Sequence, residues 1–295
     1  MRSHTLLPGL ALAGLVLPIA LASTPAQSAP SAPSAPSADR VITPHSTSFK
    51  TVSATFTTTP AGFQEATAVC PEGQKVVAGG FTGLNGDYAI YNRAVKKRTA
   101  WRVKGIFSEG STAYAYCSKT LSVTAKANTL NVPADTEELY QESTSTAKCP
   151  KGSVVVAGGW QLRPRETNSP VYTSAPVGKK KWTVVAIVDT VDPWKLKTFA
   201  YCLDLELDRD LNVATQAVVS PADDALDAVA TAQCDGGRVI GGGFATTPEP
   251  DFNNNAGPDT FFFRSKNDSK KTYTVGATNY SSVAGTVTAY AVCLG

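Results

Sequence analysis

The sequence predicts an all-β protein built from three Greek-key-like β units, each closed by one disulfide. Two observations carry this. Aligned on its cysteines, the chain superposes on itself three times. Between those cysteines lie short runs of alternating β-forming residues, bounded by Gly, Pro and Asn. A third feature, an export signal at the N-terminus, explains how the disulfides would persist.

Residues 1–22 read as a secretory signal peptide. Met1, Arg2 and His4 make a basic start, Leu6 to Leu21 is an uncharged apolar run, and Ala20-Leu21-Ala22 is a small-x-small cleavage site. A membrane span needs ~20 apolar residues, and Pro8, Gly9, Gly14 and Pro18 interrupt this shorter run. No transmembrane segment is therefore expected in the mature chain. Residues 23–45 read as a Ser/Ala/Pro-rich tether. Its Ser-Ala-Pro repeats, Ser28 to Ala38, favour extended polyproline-like backbone and offer nothing for a core.

The three units span 46–119, 120–208 and 209–295. Their first signature is Cys70-Pro-Glu-Gly-Gln-Lys-Val-Val-Ala-Gly-Gly-Phe81, then Cys149-Pro-Lys-Gly-Ser-Val-Val-Val-Ala-Gly-Gly-Trp160, then Cys234-Asp-Gly-Gly-Arg-Val-Ile-Gly-Gly-Gly-Phe244. Each unit closes alike, on Ala113-Tyr-Ala-Tyr-Cys117, Phe199-Ala-Tyr-Cys202 and Ala289-Tyr-Ala-Val-Cys293. Between the signatures an aromatic opens a β run at Trp101, Trp182 and Tyr273. Six cysteines allow 15 pairings; the repeat selects Cys70–Cys117, Cys149–Cys202 and Cys234–Cys293. Val76 to Phe81 is a buried strand between turns, and its paired glycines leave room for a backbone or a ring to approach. Asp204 to Asp208 alternates like a half-exposed strand. Each unit holds roughly five strands by turn spacing. The units pack either as tandem β-sandwiches or, with one sheet from each, as a pseudo-threefold β-prism.

At the Cys-Pro-x-Gly-x-x-Val-x-Gly-Gly-Phe and Ala-Tyr-Ala-x-Cys signatures the chain resembles a family of exported actinobacterial proteins. More distantly it resembles the vitelline membrane outer layer family, whose three units fold as a threefold β-prism. The third unit departs by carrying Asp235 in place of Pro, and the acidic Gly-Asp-Asp loop of the second family is missing. Neither resemblance implies a catalytic residue.

Chemistry is limited by what is missing. The chain has two His, His4 in the signal and His45 at the end of the tether. A Ser-His-Asp or Cys-His centre and a His-based metal site therefore lack their imidazole. Without Arg2 the 27 basic and 24 acidic residues leave a net charge of +2, too near neutrality for a general nucleic-acid binder. No cofactor or metal is expected. The acids Asp135, Glu137 and Glu138, then Asp204, Glu206, Asp208 and Asp210, then Asp223, Asp224 and Asp227 could supply a carboxylate pair for glycan hydrolysis or oxygens for calcium, though no Asp-x-Asp-x-Asp-Gly loop occurs.

One surface feature recurs with the repeat. Lys96-Lys97-Arg98, Lys179-Lys180-Lys181 and Lys270-Lys271 stand just before the aromatic strand of each unit. These residues are the candidate ligand-binding set: three equivalent tips would gain avidity for a polyanion, or serve only as solvated turns that discourage edge pairing. The loops Gly83–Tyr88, Arg163–Tyr172 and Thr246–Phe261 vary most among the units, where recognition commonly resides. The expected role is a secreted, non-catalytic binding or cell-surface protein recognising an anionic wall polymer or glycan. The alternatives are an inhibitor or toxin-like partner of another secreted protein, and a carboxylate-dependent glycan hydrolase.

Overall fold

Each repeat folds into six main strands rather than the roughly five expected, two of them before its first cysteine. The computed structural model describes residues 48–59, 62–121, 123–134, 140–163, 170–189, 193–204, 211–220, 227–247, 260–280 and 284–295. The expected signal and tether lie outside the described residues. Repeat 1 supplies β1 (Lys50–Thr55), the short β2 (Thr57–Thr58), β3 (Gln64–Val69), β4 (Lys75–Thr82), β5 (Tyr88–Val95), β6 (Ala100–Ile106) and β7 (Thr112–Ser118). Repeat 2 supplies β8 (Val123–Val132), β9 (Tyr140–Lys148), β10 (Ser153–Arg163), β11 (Val171–Val177), β12 (Lys181–Asp189) and β13 (Trp194–Asp204). Repeat 3 supplies β14 (Leu211–Ser220), β15 (Asp227–Gln233), β16 (Arg238–Thr247), β17 (Thr260–Asn267), β18 (Thr272–Asn279) and β19 (Gly285–Leu294). The strand expected over 204–208 contributes Asp204 to the end of β13; 205–208 lie outside the described residues.

The repeats do not fold as three separate sandwiches, nor does each own a sheet. Sheet A runs β1-β7-β4-β17-β18-β15, sheet B runs β2-β3-β6-β5-β10-β13-β8, and sheet C runs β14-β19-β16-β11-β12-β9. Every sheet joins half of one repeat to half of another. The seam is always the same: β10 pairs with β5, β16 with β11, and β4 with β17, all antiparallel. The Gly-Gly strand of each repeat thus pairs with the strand that follows the Gly-Gly strand in the preceding repeat, and repeat 3 returns to repeat 1. Tandem sandwiches are excluded because no half-repeat has its sheet neighbour within its own repeat.

The paired glycines make the seam possible, and both anticipated uses occur. A Cβ on Gly79 or Gly158 would collide with the indole of Trp101 or Trp182, and one on Gly242 with the Tyr273 ring. A Cβ on Gly80, Gly159 or Gly243 would collide with the main-chain oxygen of Ser265, Asn92 or Ser174 across the seam. The first glycine admits a ring and the second admits a foreign strand. The rings are then fixed by polar partners on the neighbouring strand. Trp101 Nε1 donates to Asn92 Oδ1 at 2.6 Å, Trp182 Nε1 donates to Ser174 Oγ at 2.9 Å, and the Ser265 and Tyr273 hydroxyls lie 2.6 Å apart. These aromatics are core residues, fully buried.

The residues after the glycine pairs meet one another in the core. Phe81 meets Trp160 edge-on at 6.4 Å and Trp160 meets Phe244 edge-on at 5.6 Å. The closing tyrosine also crosses the seam. Tyr201 OH accepts the Ala94 N–H and Tyr116 OH accepts the Asn267 N–H, each at 2.7 Å; repeat 3 has Val292 there and no such bond. All three expected disulfides are present, with Cα–Cα distances of 5.7, 5.6 and 5.8 Å. Each starts just past the end of β3, β9 or β15 and finishes in β7, β13 or β19, so each covalently ties one sheet to another.

Candidate functional site

The three basic clusters form the hairpin turns β5–β6, β11–β12 and β17–β18. Lys96, Lys97, Lys179, Lys180, Lys181, Lys270 and Lys271 are exposed and Arg98 is half-exposed. Their main chains are structural. The cysteine amides of Cys70, Cys149 and Cys234 donate to the carbonyls of Thr99, Lys180 and Lys271 at 2.8 to 2.9 Å, and Val155 and Val239 donate to Lys179 and Lys270 at 2.9 Å. In repeat 1 the turn is a single 3₁₀ element, Lys96–Arg98, whose three residues all have positive φ, from 50° to 66°, a region costly for side-chain-bearing residues. The backbone thus fixes where the charges project.

Strand polarity puts the tips at one end. β10 begins beside its own tip, through the Val155–Lys179 bond, and runs antiparallel to β5, which finishes at the preceding tip. The same holds for β16 with β11, and β4 runs antiparallel to β17. Successive tips therefore flank the start of one shared strand around the cycle. The variable loops follow the far ends of β4, β10 and β16, at the opposite end. Gly83–Tyr88 is held rigidly there: the buried Asp87 carboxylate accepts from Leu84 N, Ser108 N, Ser108 Oγ and Ser111 Oγ at 2.8 to 3.0 Å. Most of the other two loops lies outside the described residues.

Of the candidate acids only Asp204 and Asp227 lie among the described residues. Asp204 accepts from Ser153 Oγ at 2.6 Å and Asp227 accepts from Thr278 Oγ1 at 3.0 Å, each inside its own repeat. Asp135, Glu137, Glu138, Glu206, Asp208, Asp210, Asp223 and Asp224 lie outside the described residues. Among the described residues no group of three or more His, Cys, Asp or Glu could hold a metal ion.

A second basic cluster was not apparent in the sequence. On sheet B a groove of about 230 Å³ is lined by Arg93 on β5, Gln161 and Arg163 on β10, Lys195 and Lys197 on β13, and Thr129 on β8. Its four cations come from two repeats and meet across the seam. The Arg93 guanidinium lies 4.9 Å from the Tyr91 ring centre and 4.8 Å from that of Phe199, and Lys197 Nζ lies 5.4 Å from the same Phe199 ring. Beside the groove Glu65, which lines a smaller cavity of 40 Å³, is taken by Arg102 at 3.2 Å. Spacing alone could not reveal this cluster, since single cations on outward strand positions read as ordinary solvated residues.

Compared with known proteins, the chain matches no family model and no curated protein. Among the described residues no helix is long and apolar enough to cross a membrane.

Proposed function

We propose that this is a secreted, non-catalytic binding protein of the cell surface whose three basic tips engage an anionic wall polymer or glycan. One observation carries the reading: equivalent exposed Lys/Arg turns, backbone-fixed, at one end of a cyclic three-repeat array. A flexible polymer that touches one tip holds the next at high effective concentration, so weak contacts combine. Export, and membership of the exported actinobacterial family, belong to the same proposal and rest on residues 1–22, the signatures and the disulfides. So does a three-sided prism with the sheets as faces. Strands at the sheet margins lie against one another at three corners, β1 by β3 (which is flanked only by the two-residue β2), β8 by β9 and β14 by β15, and the Gln216 side chain accepts the Thr231 N–H across the last.

Binding to isolated cell-wall fractions over a salt series tests this. Affinity should fall steeply with salt, since exposed charges are screened within ~8 Å at physiological ionic strength. Replacing one tip by Ser should weaken binding and replacing all three should abolish it. A triple variant that binds as the wild type does would sink the proposal.

A further inference from the structure

We propose that the sheet B groove is a discrete oxyanion site, separate from the tips, that takes a phosphate or sulfate ester. The proposal goes beyond the polymer reading and does not depend on it. Arg163, at the end of β10, pairs directly with Lys195, and Gln161 pairs with Lys197. Cross-strand partners have Cα atoms ~5 Å apart, and Lys195 and Lys197 share a face ~7 Å apart. Among the described residues no carboxylate lines the groove, and like charges set directly opposite destabilise a sheet. An anion held among them removes that repulsion.

The groove is also built to receive a ligand. Arg93 is held between two rings, and its buried Nε has no hydrogen-bond partner among the described residues. The same Phe199 ring holds Lys197, so two of the four cations are positioned before anything binds, which lowers the ordering cost. Gln161, 5 % exposed, adds an uncharged amide to the lining. The volume far exceeds the ~10–15 Å³ that holds one water. Cations rising from three strands around this space suit the three-dimensional oxygens of a tetrahedral oxyanion better than one flat carboxylate, and arginine adds a fork for two of those oxygens.

The repeat supplies its own comparison. Phe199, Tyr114 and Tyr290 each pair with the second glycine of their strand, Gly159, Gly80 and Gly243. Counting from these rows, the positions of Arg93, Lys195, Lys197 and Arg163 hold Lys266, Gly110, Thr112 and Leu84 on sheet A's half-repeats. On sheet C they hold Ala175, Thr286, Thr288 and Thr247. Lys266 alone recurs, 5.4 Å from the Tyr114 ring. The cluster is a local addition to sheet B and not a by-product of the architecture.

Isothermal titration of the secreted protein at low salt, with inorganic pyrophosphate, inorganic sulfate and trigalacturonate as probes, tests the site. One oxyanion should saturate a single site per chain, and whether phosphate or sulfate does so identifies the source. Trigalacturonate should bind about tenfold more weakly or worse. Lys195→Ser with Lys197→Ser, and separately Arg163→Ser, should each weaken binding by about tenfold or more, the usual scale for a charged hydrogen bond. The exposed Lys75→Ser, a charge-matched change elsewhere, should leave it intact, and no variant should unfold at a lower temperature than the wild type. The proposal is overturned if neither oxyanion saturates a single site, if the groove variants bind as the wild type does, if Lys75→Ser weakens binding equally, or if trigalacturonate binds as well. The tip variants report on polymer binding and the groove variants on this site, so either reading can fail alone.

Discussion

Sheets B and C are built by one rule and dressed in opposite chemistry. Both bring a Gly-Gly strand of one repeat against the preceding repeat, and in both a ring from another sheet sits on the first glycine, Trp182 on Gly158 and Tyr273 on Gly242. On the outer face, Arg102 of sheet B pairs with Thr67, whereas the matching pair on sheet C is Thr183 with Thr146, their hydroxyls 2.9 Å apart. Sheet B carries cations where sheet C carries threonine and alanine. Packing repeats what it must, because a strand that crosses a seam leaves no room for a Cβ. The outward positions answer to no such constraint and record what each face meets.

If the interior rule is shared, breaking it should cost both sheets alike. Gly159→Val and Gly243→Val each drive a side chain into a main-chain oxygen of the neighbouring repeat. Each should destabilise by at least ~3 kcal/mol, the upper end for overpacking, or prevent folding, as read by chemical denaturation. Gly236→Ala, with open space around its Cβ position, should be nearly silent. A tolerated Gly159→Val would mean that the seam is not closely packed.

The inter-sheet disulfides come next. Replacing Cys149 and Cys202 by Ala should cost ~2–5 kcal/mol, and so should the pair Cys234 and Cys293. Non-reducing peptide mapping should recover Cys70 with Cys117, Cys149 with Cys202 and Cys234 with Cys293; a link between repeats would contradict the fold.

High pH should then distinguish the seams. Burial pushes the Tyr116, Tyr201 and Tyr273 phenols well above the ordinary value of 10. The folded state therefore keeps protons that the unfolded chain releases. Stability is full below pH ~10 and falls above it, by up to ~1.4 kcal/mol per pH unit for each phenol. Spectrophotometric titration should show these tyrosines ionising only as the protein unfolds. Tyr201→Phe and Tyr116→Phe should each lose ~1 kcal/mol at neutral pH; the seam of sheet C, which has Val292 there, already does without this bond. Smallest in stability is a change of outer face: Lys197→Thr, which copies sheet C, should stay within ~0.5 kcal/mol.

The sequence reads well where chemistry is local. The threefold repeat of the cysteines pointed to the disulfides, and the glycine pairs announced a close approach. The exchange of half-repeats did not follow, for a physical reason. β5, β11 and β17 are equivalent strands, so a Gly-Gly strand meets similar chemistry in its own repeat or the preceding one. Only the three-dimensional course of the hairpins decides between them. The groove was hidden in the same way: Arg93 is some 70 residues from Arg163 and 100 from Lys195, and the seam alone brings them together.

The central claim is that charge at fixed places on a repeated scaffold recognises an anionic polymer. Its most direct test is the binding of purified poly(glycerol phosphate) to the wild type and to the variant with all three tips replaced by Ser, over a salt series. The account predicts wild-type affinity that is highest at low salt and falls steeply as salt rises, with the variant left only the weak single-site binding of the sheet B groove. Equal binding by the two proteins, or no wild-type binding at low salt, would contradict it.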